Sequence, residues 1–154
     1  MLRTFRVDKL TYAALEATLM DYLSGAAESI PVVRMLRASP AEILARCEWI
    51  AAQLSSASLA ADVISTLSLI GGGTAPAARL VSSALALHHK SLQPQAFLYL
   101  LRQLDPAVIG RVSEDKVLLD LRTVEPELDA TLVCLLQKVA QSDVVSSSRM
   151  PSPE

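Results

Sequence analysis

Aromatic residues are scarce in this chain: one Trp, three Tyr and two Phe make up 4% of 154 residues. A core here has to be built from Leu, Ala, Val and Ile. Lysine is rarer still, with only Lys9, Lys90, Lys116 and Lys138. A net charge of −2 provides no positive field that would gather nucleic acid on its own. No run reaches the ~18 apolar residues of a membrane helix, since Asp62 and Gly71-Gly72-Gly73 interrupt the most apolar stretch. The N-terminus has arginines but no apolar run with a cleavage site, so no signal peptide is expected. Two cysteines far apart, Cys47 and Cys134, lie in apolar helical patterns and read as buried free thiols. These features fit a cytoplasmic protein without a membrane partner. No Cys, Asp or Glu cluster supports a metal.

What is present is an apolar chain, 51% hydrophobic with a mean hydropathy of +0.36, large enough for one core. That hydrophobicity suits either an Ala/Leu-rich helical domain or a domain that covers part of its surface with a partner. Asp8 can cap a helix running to about Leu23, with Leu15, Leu19 and Tyr22 at helical spacing and Gly25 as its stop. Ile30 to Leu36 reads as a short apolar turn opened by Pro31. Ser39-Pro40-Ala41-Glu42 is the strongest boundary signal: N-cap, first-turn proline and capping box in sequence. The helix it opens should run to about Ala57, facing inward with Ile43, Cys47, Ile50 and Leu54, and Trp49 should pack.

Further along, Val63 to Ile70 and Ala84 to His89 read as strands. Pro94 opens a helix through Leu104. Val108 to Val112 and Val117 to Leu121 form a hairpin around Ser113-Glu114-Asp115-Lys116. Glu125-Pro126-Glu127 starts a last helix carrying Leu128, Leu132, Leu135 and Val139. From Ser142 the Ser/Pro-rich tail is expected to be disordered. The expected fold is α+β: a small antiparallel sheet with helices on one face, preceded by a long helix. The expected division is 1–38 for the N-terminal motif and connecting helix, 39–141 for the small domain and 142–154 for the tail.

Adjacent strand residues point to opposite faces, so His88 and His89 cannot chelate together. Ser82-Ser83 has no base at convincing spacing and is not read as a nucleophile. Arg111 reads as an exposed strand residue. No catalytic residue is assigned.

One block is more specific. Arg3-Thr4-Phe5-Arg6-Val7-Asp8-Lys9-Leu10-Thr11 continues into Ala13-Ala14-Leu15-Glu16-Ala17-Thr18-Leu19. It resembles the R-x-x-R-V-D-K-L-T-x-x-A-L-E-A-T-L stretch of the selenocysteine synthase family, the L-seryl-tRNA(Sec) selenium transferases. The likeness continues through Ile30–Leu36, Gly71-Gly72-Gly73-Thr74, Pro106–Val112 and Leu118–Val124, covering roughly residues 2 to 140. It departs at Ala75 and Val81, where the family carries leucine and proline.

The resemblance implies the C-terminal portion, including the small domain, of a fold type I pyridoxal phosphate (PLP) enzyme. The Schiff-base lysine would lie upstream, so no cofactor is expected to bind this chain alone. The implied partners are the missing N-terminal PLP domain, further copies in a homo-oligomer, and tRNA(Sec) through that absent region. The implied reaction converts seryl-tRNA(Sec) to selenocysteinyl-tRNA(Sec) with selenophosphate, and the chain alone should be inactive. Arg3 and Arg6 match the paired arginines that hold the phosphate, and Arg122 is a possible substrate contact. A related ammonia-lyase acting on an amino-sugar acid phosphate, and a non-catalytic assembly domain, are the alternatives.

Overall fold

A computed structural model describes residues 7–54, 58–70 and 78–141. Arg3, Arg6, the glycine triplet and the tail from Ser142 lie outside the described residues. The chain divides into two compact units, Met1–Ala38 and Ser39–Glu154.

In the first unit, α1 (Lys9–Leu23) begins where the sequence places it. The Asp8 carboxylate accepts from the Thr11 amide at 2.8 Å and from its hydroxyl at 3.0 Å. The amide bond is the main reason the Asp8 carboxyl is held below its ordinary range. Gly25, at φ +79°, takes the left-handed conformation that ends the helix. The expected turn at Ile30–Leu36 is instead a helix, α2 (Pro31–Arg37). Proline at its first position costs no hydrogen bond, and no breaker interrupts the six residues that follow.

The second unit opens with α3 (Pro40–Gln53) and the expected capping box. Ser39 Oγ accepts from the Glu42 amide at 3.2 Å, and the Glu42 carboxylate accepts from the Ser39 amide at 2.8 Å. That backbone bond pulls the Glu42 carboxyl below its usual range. α3 stops at Gln53, short of the expected Ala57. Its inward face is the expected one: Ile43, Cys47, Ile50 and Leu54 are all buried.

The sheet has four antiparallel strands in the order β1-β2-β4-β3: β1 (Leu59–Leu69), β2 (Arg79–His89), β3 (Arg111–Ser113) and β4 (Lys116–Asp120). β1 and β2 are longer than their apolar runs suggest. Pairing of Leu59 with His89 and Leu69 with Arg79 carries low-propensity residues such as Ala60, Ala61 and Asp62 into the ladder. The β3–β4 turn is formed by Glu114 and Asp115, both at positive φ (50° and 56°), as a two-residue hairpin requires. Val108–Gly110 is not strand, so β3 begins at Arg111 rather than Val108.

Helix α4 (Pro94–Arg102) joins α3 on the sheet, and α5 (Asp129–Gln141) packs against both helices. The His89 ring lies 5.3 Å from Phe97 of α4, so the face bearing Leu85, Leu87 and His89 turns toward the helices. The observed fold is α+β with a small antiparallel sheet. Two expectations fail on helix phase. Trp49 is 48% exposed, because it lies off the stripe that buries Ile43, Cys47 and Ile50. Cys134 is exposed, because α5 turns Leu132, Val133, Leu135 and Leu136 inward and leaves position 134 outside. Cys47 is buried as expected, and burial pushes its thiol up to about 12. No helix among the described residues is long and apolar enough to cross a membrane.

Candidate functional site

The described polar groups gather where the end of β4 meets the outer half of β1–β2. Asp120 and Ser82 are paired neighbours of the same sheet face: Ala84 sits opposite Asp120 in register, and Ser82 is two residues along β2. One carboxylate oxygen of Asp120 accepts from Ser82 Oγ at 3.1 Å and from the Arg122 amide at 3.0 Å; the other accepts from Ser68 Oγ. Ser82 is 1% exposed and donates to a carboxylate that other donors already share. That geometry braces a sheet and offers no accessible nucleophile.

Arg122 follows directly, in the 3-10 turn Leu121–Thr123. It is only 6% exposed, and its Nη2 donates to the Val81 carbonyl at 2.8 Å. The guanidinium therefore ties the turn to β2. Arg111 is exposed on β3, as expected, and its Nη2 donates to Thr66 Oγ1 of β1 at 2.9 Å. Lys116 pairs with Asp62 across the same face at 2.9 Å.

A second arginine escaped the sequence reading. Arg46 of α3 grips Asp129 through Nε (2.8 Å) and Nη2 (2.7 Å). The same guanidinium donates to the Leu121 carbonyl at 3.1 Å and the Val124 carbonyl at 2.9 Å. These two carbonyls bracket the turn that carries Arg122. The bonds to Asp129 raise the Arg46 guanidinium above its ordinary value, against a desolvation that lowers it. A signal was present in the sequence: position 46 falls between Ile43 and Ile50 on the inward stripe of α3, where a cation needs a partner.

Two cavities adjoin these elements. One, of about 200 Å³, is lined chiefly by apolar residues of segment 106–109 and α5, with Asp120 and Glu125 among its polar groups. Two carboxylates and no cation make it a poor home for phosphate. The other, of about 240 Å³, is polar and holds His88, His89, Lys90 and Asp115. His88 is exposed and His89 is 3% exposed, on opposite faces as expected. His89 Nδ1 accepts from the amides of Ser91 (3.4 Å) and Leu92 (3.2 Å), which fixes it in the turn leading to α4. Among the described residues no group of His, Cys, Asp or Glu is placed to hold a metal.

The described residues do not fit PLP. A Schiff-base lysine needs burial or a neighbouring cation to free its amine at neutral pH. Lys9, Lys90 and Lys138 are exposed, and Lys116 is ion-paired with Asp62.

Fold and site together define an α+β domain fastened by one buried and one half-buried arginine, Arg122 and Arg46. Residues 1–125 match the model of one family, L-seryl-tRNA selenium transferase, and the chain belongs to it. The match takes in Arg3, Arg6 and Arg122. Similar curated proteins carry the name L-seryl-tRNA(Sec) selenium transferase. The one from Carboxydothermus hydrogenoformans is 38% identical over 135 residues, covering 82% of this chain and 28% of the relative. That from Aliarcobacter butzleri is 37% identical, covering 80% and 27%. That from Alkaliphilus oremlandii is 35% identical, covering 90% and 31%. The chain thus spans about three-tenths of the length of these relatives.

Proposed function

We propose that this chain works as the C-terminal part of a PLP-dependent L-seryl-tRNA(Sec) selenium transferase. That enzyme converts seryl-tRNA(Sec) to selenocysteinyl-tRNA(Sec) with selenophosphate. The observation that carries the reading is the family match over residues 1–125 by a chain spanning about three-tenths of its relatives. In this reading the cofactor and tRNA(Sec) belong to the remainder of the enzyme, and residues 39–141 form its small domain. The free Cys47 and Cys134 suit a cytoplasmic setting.

Arg3 and Arg6 are the proposed anion wall. Two guanidinium forks suit a phosphate, and three-residue spacing sets them on one face if the segment is helical. Each charge-assisted bond contributes about 1.5–3 kcal/mol. Arg122, held on Val81, is proposed to brace the end of β4 rather than to bind substrate.

A chimera tests this. This chain replaces the corresponding portion of the Carboxydothermus hydrogenoformans relative, and selenocysteinyl-tRNA(Sec) formation is measured. The chimera should be active. Arg3→Ala and Arg6→Ala should each raise KM for selenophosphate about 10- to 100-fold. An active chimera whose selenophosphate KM ignores both substitutions overturns the assignment of the arginines. A folded chimera that makes no product overturns the enzyme reading.

A further inference from the structure

We draw no further inference here: the strongest candidate, the exposed apolar seam that Tyr12, Leu15, Leu19 and Tyr22 form along α1, carries nothing because nothing in the structure shows what covers it.

Discussion

Replacing Arg46 with Met removes one guanidinium but keeps most of its volume, so the loss reports the polar contacts. Four hydrogen bonds disappear, two to Asp129 and one each to the Leu121 and Val124 carbonyls. What remains is a carboxylate with 13% side-chain exposure and two carbonyls without that donor. Breaking a fully buried pair from one side costs about 3–5 kcal/mol. Arg46 retains 17% side-chain exposure, so water can reach the gap, and about 3 kcal/mol is expected. Arg46→Lys should lose about 1–2 kcal/mol, because one ammonium cannot span four acceptors on three groups. The internal comparison is Arg37–Glu28, a 3.3 Å pair with side chains 60% and 72% exposed. Arg37→Met should cost under about 1 kcal/mol. Urea unfolding followed by circular dichroism measures all three, with a cycle through Asp129→Asn isolating the pair. If Arg46→Met costs no more than Arg37→Met, burial does not set the value of these pairs and the reasoning fails.

Thiol titration of the folded chain should find Cys134 reactive and Cys47 silent, with both reacting in urea. Because the Cys47 thiol titrates near 12 when folded against an ordinary 9.0, the unfolded chain sheds its proton first. Stability should therefore fall as pH rises from about 9 toward 12, and Cys47→Ala should flatten that limb of a pH–stability curve. Gly110→Ala places a Cβ 2.7 Å from Leu119 Cδ2 and 2.9 Å from the Leu118 carbonyl. The methyl end can move but the backbone cannot, so a loss of about 1–3 kcal/mol is expected in urea unfolding. Ser39→Ala should cost about 1 kcal/mol by the same measurement. Glu42, whose carboxyl sits low in the folded chain, should lose its hold on the Ser39 amide as pH falls below the usual carboxylate range.

The legible parts of this fold were those written locally. Asp8, the Ser39–Glu42 box and the Ser113–Lys116 hairpin each declare themselves within four residues. Strand length was less legible, because Ala60–Asp62 and the Arg79, Ser82 and Ser83 positions have no strong β preference and are recruited by a partner across the ladder. Trp49 and Cys134 were misjudged by residue type: hydrophobic character suggested burial, but position on the helix decided it. The Arg46–Asp129 fork joins residues 83 apart. Only the misplaced cation on an apolar stripe hinted at it. Of the candidate site, Arg122 could be placed, and it is spent on Val81. Arg3 and Arg6 rest on the family motif alone and lie outside the described residues.

The strand order β1-β2-β4-β3 also carries a consequence for how the chain reaches this state. The sheet is two hairpins laid side by side, one closed by two residues and the other by nine. The seam between them pairs Leu87 with Val117, thirty residues away. Loop closure makes that seam the expensive contact, so each hairpin can form early while their docking sets the folding rate. The Arg46 fork spans a longer separation still and fastens elements on the far side of that seam. It belongs after the barrier: losing it should hasten unfolding and leave the folding rate almost unchanged. Arg46 would then act as a bolt that slows departure from the native state without guiding entry to it.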